Sequence, residues 1–549
     1  MFSCFVNLLM LTGPIFMLQV YDRVLGSRSE ETLFALSLLA AFLFAMMGLL
    51  DYARGRVMAR VGARFQTRLD RRVFDAVLRR SSVGKSQKAE TGLADLESIQ
   101  RLMASPVLTS AFDIPWTPIF LVGISLFLPW LGLLAVVGGS ILILVTVLNQ
   151  AVTRLPFEKA GYASHVAGRV SSQMQSEAEM IRSMGMQNAA FERWQVARNG
   201  SLEAAVSASD LSGGFSVSTK TFRLFLQSAM LGLGAYLALQ GEVSPGAMIA
   251  GSILMGRALA PIELAVGQWA LVQRARQGWR SLADLLSEVP PEQLRTKLPV
   301  PAARLDVQQL TVLPPGEAQA VLRMVSFTAK PGQAIGVIGP SGAGKSTLAR
   351  ALTGSWRAAG GKVRLDGAAL EQYEPDDLGQ YIGYLPQRVE LFDGTIAENI
   401  ARLSPKPDPE KVVFAARKAD AHEMILKLPQ GYDTPVSSHG GRLSGGQMQR
   451  IGLARAMYGD PVVLVLDEPN SNLDNEGSEA LNSAIRATKA DDRIVLIMAH
   501  RPAAIRECDM LLVLENGATR AFGPRDEVMK EVLQNYQQIK GSSDPGGIR

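Results

Sequence analysis

Residues 334–352, AIGVIGPSGAGKSTLARAL, decide the fold of the second half of the chain. A strand-like apolar run leads into a glycine-rich loop, and a helix-like run follows it. Glycines let the backbone N–H groups curl around phosphate oxygens, and the helix N-terminus adds positive potential. The pattern predicts an α/β P-loop ATPase domain, whose nucleotide loop consists of Gly339, Pro340, Ser341, Gly342, Ala343, Gly344, Lys345, Ser346 and Thr347.

The chemistry expected of this loop is phosphate binding and hydrolysis. Lys345 supplies a positive charge to the β- and γ-phosphates, and the Ser346 hydroxyl is a ligand for Mg²⁺. A second strand-like run, VVLVLDEP (462–469), ends in two carboxylates. We expect Asp467 to hold the Mg²⁺ shell and Glu468 to act as the general base toward water. An acidic loop after a buried strand is the plain alternative, and the phosphate loop upstream argues against it.

The first half of the chain has a different composition. It contains six apolar runs long enough to cross a hydrocarbon core of ~30 Å. These candidate spans are about 2–20, 32–50, 107–128, 130–149, 222–240 and 246–266. We therefore predict a membrane α-helical domain with six transmembrane helices over 1–285, a linker over 286–305, a nucleotide-binding domain over 306–540 and a flexible tail over 541–549.

Charge predicts the orientation of the spans. The connection 51–106 holds 12 Lys and Arg residues and 151–221 holds 7, whereas the connections within each pair of spans are short. Positive charge marks the cytoplasmic side. The long connections and the nucleotide-binding domain are thus predicted to lie in the cytoplasm, and segments such as 51–78 read as helical extensions of the spans. The alternative that the first span is a cleaved signal peptide is disfavoured, because the basic region with which signal peptides begin is lacking.

Composition excludes several other classes. The chain of 549 residues is 47% hydrophobic and 19% charged, against ~25% charged for soluble globular proteins. Cys4 and Cys508 are the only cysteines, which excludes a disulfide framework and a cysteine-rich metal site. The arginines of 51–80 alternate with apolar residues at helical spacing between two spans. We interpret them as a solvated helix face, so nucleic acid is not an expected partner.

Two charges near membrane depth are candidates for a translocation path, since buried ionisable groups there are costly. Asp113 lies in SAFDIPWTPIF, where prolines interrupt the helix, and Arg257 lies near the middle of the sixth span, before Glu263. The alternative for each is an ion pair or an interfacial cap. For Asp113 we favour that alternative, and for Arg257 the sequence does not decide.

The motor half resembles the ATP-binding-cassette ATPases. LSGGQ (443–447) is similar to their signature, and it lies between the phosphate loop and the acidic strand. The resemblance implies that Ser444, Gly445, Gly446 and Gln447 contact the γ-phosphate bound by another subunit. It also implies that Gln387 is a Q-loop residue that helps to hold Mg²⁺, His500 the switch histidine and Asp474 a D-loop residue. One motor and six spans make half a transporter, so a homodimer with two composite ATP sites is expected.

The residue expected to contact the nucleobase departs from common exporters of this class. They carry an aromatic residue, which stacks on adenine, about 25 residues before the phosphate loop. The corresponding stretch here, LTVLPPG (310–316), offers Pro314 instead.

The membrane half narrows the resemblance. MLTGPIFMLQVYDRVLGSRSEETL (10–33), FDIPWTPIFL (112–121) and GRALAPIE (256–263) resemble the inner-membrane ATPase of bacterial type I secretion systems, in the branch that serves metalloproteases and RTX proteins. This implies a multi-pass protein of the bacterial inner membrane that exports an unfolded polypeptide with a C-terminal signal. The implied partners are a periplasmic membrane-fusion adaptor and an outer-membrane channel. The family's cytosolic N-terminal lead is expected to be short or absent, with no peptidase domain.

A second function shares the same motor. A stand-alone half-transporter that exports lipid, drug or peptide would carry the same ATP-binding residues. The motor sequence therefore leaves this alternative open, while the six spans exclude the soluble repair and translation ATPases of the family.

Overall fold

The computed structural model describes residues 2–84, 87–127, 129–292, 295–437, 443–471, 473, 475–499 and 505–531. Its contacts divide the chain into two units, one reaching from the N-terminus to residue 291 apart from 82–84, and the other comprising 82–84 and 292 onward. The predicted linker therefore overlaps the first unit, because the helix before it continues to Glu288. The predicted tail, 541–549, lies outside the described residues.

The first unit is helical throughout its described part. Its helices are α1 (Phe2–Leu9), α2 (Thr12–Gln19), α3 (Leu25–Ser27), α4 (Glu30–Val83), α5 (Gln87–Met103), α6 (Pro106–Ala111), α7 (Thr117–Phe127), α8 (Pro129–Ser176), α9 (Ala178–Ser183), α10 (Gln187–Leu239), α11 (Pro245–Gly267) and α12 (Trp269–Glu288). A π-helical turn, Val20–Val24, connects α2 to α3, and a 3₁₀ turn, Ile114–Trp116, connects α6 to α7. Proline begins α6, α8 and α11, where its missing N–H has no helical partner to lose.

Six helical stretches of the described chain are long and apolar enough to cross a membrane. They are Phe2–Ser27, Glu30–Val83, Pro106–Leu126, Pro129–Ser176, Gln187–Leu239 and Pro245–Gly267. The prediction of six apolar spans is confirmed, although the first is a chain of short helices. The helices α4, α8 and α10 have 54, 48 and 53 residues. At 1.5 Å per residue they are roughly 70–80 Å long, so each extends well beyond a bilayer core of ~30 Å.

The spans pack through a shared apolar cluster. Ile124, Leu131, Leu226, Met230 and Met255 are fully or almost fully buried in it. A Cβ at Gly138 would lie 2.2 Å from a methyl group of Leu226, so a larger residue would force Leu226 to shift where α8 approaches α10. The close approach of long helices through small residues is the usual packing mode inside a membrane.

Asp113 forms a polar contact with two other helices. Its Oδ1 accepts hydrogen bonds from Nδ2 of the buried Asn7 and from a guanidinium nitrogen of Arg54, both at 2.7 Å. Arg54 also pairs with Asp51 at 2.8 Å. The ion-pair reading of Asp113 therefore holds. Arg257 is exposed in the single chain, and Glu263 pairs with Arg223 at 2.7 Å instead.

We expect Asp113→Asn to destabilise the first unit by about 1–3 kcal/mol, because a charged hydrogen bond is lost at a mostly buried arginine. The thermal unfolding midpoint in detergent should fall relative to wild type. Asp51→Asn, whose side chain is 55% exposed, is the matched control and should change the midpoint much less. Equal midpoints for Asp113→Asn and wild type would contradict this account of the contact.

The second unit has an α/β architecture. Its described strands are β1 (Leu305–Val312), β2 (Leu322–Ala329), β3 (Ala334–Ile338), β4 (Gly360–Leu365), β5 (Ala368–Ala369), β6 (Ile382–Leu385), β7 (Gly394–Thr395), β8 (Pro435–Val436), β9 (Val463–Asp467), β10 (Ile494–Ala499), β11 (Met510–Glu515) and β12 (Ala518–Pro524). Its described α-helices are α13 (Lys345–Leu352), α14 (Pro375–Tyr381), α15 (Ile396–Ile400), α16 (Pro409–Lys418), α17 (His422–Leu426), α18 (Gly445–Met457) and α19 (Asn475–Ala490).

The strands form a six-stranded sheet in the order β12-β11-β3-β10-β9-β6 and an antiparallel four-stranded sheet in the order β2-β1-β4-β5. In the larger sheet all neighbours are parallel except β11 and β12. Strands β9 and β10 are buried along their whole length, as expected for a sheet covered on both faces. Two apolar clusters, one on each face, form the core of the unit.

Candidate ATP-binding and hydrolysis site

The order of the strands brings the predicted site residues to one edge of the large sheet. β3, β10 and β9 are parallel neighbours, with Ile338 beside Ala499 and Met498 beside Asp467. The phosphate loop follows β3, and the acidic pair closes β9. Because carboxyl ends of parallel strands meet at the same edge, two sequence motifs about 120 residues apart share one site.

The phosphate loop connects β3 to α13 in the predicted strand–loop–helix order. Gly342 and Gly344 adopt the left-handed backbone, with φ of 81° and 96°. A Cβ at Gly344 would lie 2.6 Å from Leu322, so both the backbone conformation and the packing require glycine there. Gly344 is the N-cap in this left-handed conformation, and α13 begins at the next residue, Lys345.

The Lys345 side chain is buried within the phosphate loop. Only 5% of the residue is exposed, and its Nζ donates hydrogen bonds at 2.9 Å to the carbonyl oxygens of Gly339 and Pro340. Burial lowers the pKa of Lys345, while the carboxylates of Glu468 and Asp467 oppose that effect. The ammonium group is therefore held at the centre of the loop and beside the acidic pair.

Ser346 and Asp467, two of the residues predicted to hold Mg²⁺, lie in direct contact. The Ser346 Oγ donates a hydrogen bond to Asp467 Oδ1 at 3.1 Å, and Asp467 is 98% buried. Burial raises the pKa of Asp467, an effect opposed first by this hydrogen bond. A hydroxyl and one carboxylate are the oxygen donors that Mg²⁺ takes in nucleotide sites. In the described part of the chain no cluster of three or more His, Cys, Asp or Glu side chains could hold a metal alone.

Glu468 follows Asp467 in a strained backbone conformation. Its φ is +50°, and its N–H donates to the Met498 carbonyl at 3.0 Å. The side chain of Gln387, which comes just after β6, donates from Nε2 to Glu468 Oε2 at 2.8 Å. Non-glycine residues in this conformation are uncommon and cluster at functional sites. The turn directs the two adjacent carboxylates to different partners.

The signature residues begin α18. Ser444 is its N-cap, and its hydroxyl accepts a hydrogen bond from the Gln447 N–H at 3.2 Å, while Gln447 Oε1 accepts from the Ser444 N–H at 2.8 Å. This reciprocal capping box leaves the backbone N–H groups of Gly445 and Gly446 in the first turn of a 13-residue helix. Ser444 and Gly445 are exposed. An exposed helix N-terminus of this kind favours an anionic group.

Two predicted site residues cannot be placed. His500 and Asp474 lie outside the described residues. Their roles remain predictions from the sequence.

The structure adds residues that sequence reasoning missed. Gln449 is buried on α18 and donates from Nε2 to the Pro469 carbonyl at 3.1 Å, which ties the signature helix to the turn after Glu468. Tyr384 bonds Arg350 beside Asp467, and burial raises its pKa. The capping box was detectable, because Ser-x-x-Gln before an apolar run is its sequence pattern. The contacts of Gln449 and Tyr384 had no comparable signal.

The far end of α18 contacts the segment that follows Gln387. Arg455 donates to the carbonyl oxygens of Asn399 and Glu390 and to Asn399 Oδ1, and it lies 5.4 Å from the Phe392 ring centroid. Asn399 is fully buried and bonds both backbone groups of Phe392. One helix therefore connects the signature to this segment.

Residues 310–316, where the family resemblance places the contact with the nucleobase, contain no aromatic side chain. Pro314 is buried, whereas the neighbouring Leu313 is exposed. We expect Leu313→Tyr to raise the affinity for ATP roughly 5- to 150-fold, since aromatic stacking on a base contributes ~1–3 kcal/mol. Equilibrium titration of the purified protein with a fluorescent ATP analogue measures this. The control is Leu403→Tyr, at an exposed leucine of the same unit. An unchanged affinity of Leu313→Tyr would mean that the base lies elsewhere.

Comparison with known proteins agrees with this architecture. The ABC transporter family profile matches residues 322–471, and the ABC transporter transmembrane region matches residues 1–259. The chain is 44% identical to the type I secretion system ATP-binding protein PrsD of Rhizobium meliloti (strain 1021), over 97% of this chain and 92% of that protein. It is 29% identical to the leukotoxin translocation ATP-binding protein LktB of Mannheimia glucosida, over 98% of this chain and 76% of that protein.

Among solved structures, a bacterial Atm1-family ABC exporter with ATP bound is similar, with a TM-score of 0.80 and 22% sequence identity. The match covers 100% of this chain and 98% of the exporter. At this identity the likeness concerns the fold, which is a transmembrane region followed by a nucleotide-binding domain.

Proposed function

The chain belongs to the ABC transporter family, among the ATP-binding proteins of type I secretion systems, and from this we propose that it exports an unfolded polypeptide across the bacterial inner membrane. It is an ABC ATPase whose hydrolysis is coupled to protein export. The observation that carries the proposal is that the phosphate loop, Asp467, Glu468 and Gln387 share one sheet edge in a chain that also has six apolar helical spans.

Phosphate binding is assigned to the loop and α13. The Lys345 ammonium stabilises the β- and γ-phosphates of ATP, and the backbone N–H groups around Gly342 and Gly344 donate hydrogen bonds to the phosphate oxygens. Ser346, Asp467 and Gln387 are the residues that would hold Mg²⁺. When bound, that ion would neutralise charge on the phosphate oxygens.

Hydrolysis is assigned to Glu468. Its carboxylate orients the attacking water and takes its proton, and Gln387 positions the carboxylate through the 2.8 Å hydrogen bond. His500 is proposed to contact the γ-phosphate, on the basis of its sequence position after β10.

The motor is proposed to work as a homodimer. Ser444 caps the N-terminus of α18, Gly445 and Gly446 lie in its first turn, and Gln447 completes the capping box. A second chain that supplies this terminus to the γ-phosphate, with Asp474 nearby, completes each site. ATP then favours the closed pair, and hydrolysis reverses the preference.

The implied assembly spans the envelope. We propose a multi-pass protein of the bacterial inner membrane with its nucleotide-binding domain in the cytoplasm, since the long basic connections 51–106 and 151–221 favour that side. The proposed partners are a periplasmic membrane-fusion adaptor, an outer-membrane channel and a cargo with a C-terminal signal.

Transport in proteoliposomes tests the function. A fluorescent unfolded polypeptide encoded beside the gene should become protected from added protease when ATP is supplied on the motor side. Lys345→Ala should abolish that protection. ATP-dependent movement of lipid or dye, without protection of any polypeptide, would favour the stand-alone half-transporter instead.

A further inference from the structure

The first unit contains a cavity of about 1110 Å³, lined by one face each of α8, α10 and α12. The lining positions recur at helical spacing, as in Arg154, Glu158 and Gly161 of α8. The lining residues of α8 follow the apolar part of the fourth span, and those of α10 precede the apolar part of the fifth span. The lining residues of α12 follow the sixth span. The cavity is therefore at the membrane end that we propose to be cytoplasmic.

The walls of the cavity are strongly basic. Five arginines line it, Arg154, Arg198, Arg274, Arg276 and Arg280, against one acidic residue. That residue, Glu158, is paired with Arg154 at 3.1 Å. For the other four arginines, the described chain contains no acidic side chain within ion-pairing distance. Four positive charges therefore face one cavity without internal compensation.

Small, neutral polar and apolar residues, among them Phe157 and Leu202, complete the lining. Ser201, Ser209, Ser212 and Gly213 keep the α10 wall thin. Gln273 is 91% buried, and its Nε2 donor has no hydrogen-bond partner in the described structure. A buried unpaired donor is costly unless a ligand or water satisfies it. The lining thus offers cationic groups and hydrogen-bond donors to a ligand that brings acceptors.

We propose that this cavity binds a carboxylate-rich stretch of the exported polypeptide as it leaves the cytoplasm, an inference that rests on the proposed function. Guanidinium groups bind carboxylates in a forked, charge-assisted geometry. The volume exceeds the ~300–1,000 Å³ of small-molecule sites, so it has room for several residues of an extended chain. Anionic lipid headgroups share the charge, but a phosphate headgroup alone leaves most of this volume unfilled.

Binding to two matched peptides tests the inference. The full-length protein is placed in nanodiscs of phosphatidylcholine, which carries no net charge. Two labelled unstructured peptides of equal length are titrated, one of Gly, Ser and Asp and one with Asn at every Asp position. The wild type should bind the Asp peptide at least about 10-fold more tightly, and added salt should weaken that binding.

Variants locate the binding. Arg274→Gln/Arg276→Gln/Arg280→Gln should lose the preference for the Asp peptide, while the corresponding lysine variant should keep much of it. Arg169→Gln/Arg182→Gln/Arg193→Gln removes the same charge from exposed positions outside the cavity and should bind as wild type does. Basal ATP hydrolysis, measured on each variant, should remain at the wild-type level, because none of these residues belongs to the proposed ATP site.

Three results would overturn the inference. Equal affinity of the wild type for both peptides would remove the carboxylate preference and leave polypeptide export standing. Failure of both peptides to bind would overturn the inference and leave polypeptide export standing, because neither peptide carries the proposed C-terminal signal. If the cavity variant bound the Asp peptide normally but lost its thermal stabilisation by phosphatidylglycerol, the cavity would be a lipid site.

Discussion

Replacing Glu468 with glutamine should lower the rate of ATP hydrolysis by about 10²- to 10⁴-fold and leave ATP binding nearly intact. A positioned general base contributes rate enhancement of this order. Glutamine has nearly the same volume as glutamate, and its side-chain oxygen can still accept the hydrogen bond from Gln387 Nε2. In the wild type this bond joins Gln387 Nε2 to Glu468 Oε2 at 2.8 Å. What it removes is the capacity to accept a proton from water. Phosphate release and equilibrium nucleotide binding, measured on the same preparation, separate the two effects.

The matched control for this variant is Glu390→Gln. Glu390 lies in the same unit, and its side chain is 76% exposed and pairs with Arg388 at the surface. Its turnover should match that of the wild type. Hydrolysis by Glu468→Gln within a few-fold of wild type would remove Glu468 as the base and transfer that role to another residue.

Replacing Lys345 with alanine should weaken ATP binding roughly 10- to 150-fold and abolish transport. A charge-assisted hydrogen bond contributes about 1.5–3 kcal/mol, which corresponds to that range of affinity. We expect the loss of ATP affinity to lie near the upper end of this range, because Lys345 is almost fully buried and water cannot replace its charge. Isothermal titration with ATP and Mg²⁺ measures the change in Kd.

Folding must be checked separately for this variant, since Lys345 also bonds the carbonyl oxygens of Gly339 and Pro340. An unchanged unfolding midpoint shows that the loss concerns the ligand. Lys330→Ala, at an exposed lysine before β3, should bind ATP normally. Wild-type affinity in Lys345→Ala would contradict the assignment of the phosphate site.

Local patterns were enough to predict the motor fold and the proximity of the phosphate loop to the acidic pair. The strand–loop–helix at Lys345 and the acidic strand end at Asp467 each have a spacing imposed by the chemistry of phosphate. Apolar length likewise predicts the six spans, because the bilayer sets that length. The helical extensions of the spans were predictable as well, because helical spacing of apolar residues continues beyond the spans, as in 51–78.

Contacts between distant segments could not be predicted in this way. Asp113 meets Asn7 and Arg54, which come from two other helices, and no local pattern relates the three. The same holds for Gln449 and the Pro469 carbonyl. The basic cavity is another case, since its arginines are distributed over three helices and read in sequence as ordinary solvated charges.

The central claim is that each ATP is held between Lys345 of one chain and the signature of another. Mixing two defective chains in the Glu468→Gln background tests it. One chain carries Lys345→Ala. The other carries Gly445→Asp, which places a negative charge where the γ-phosphate is expected while still favouring the start of α18. The measured quantity is tightly retained ATP per pair of chains, after rapid removal of free nucleotide.

If the sites are shared, the mixed pair regains one intact site and retains about one ATP, whereas each parent alone retains almost none. If every site is formed within a single chain, mixing restores nothing and retention stays at the level of the parents. That second result would contradict the shared-site account directly.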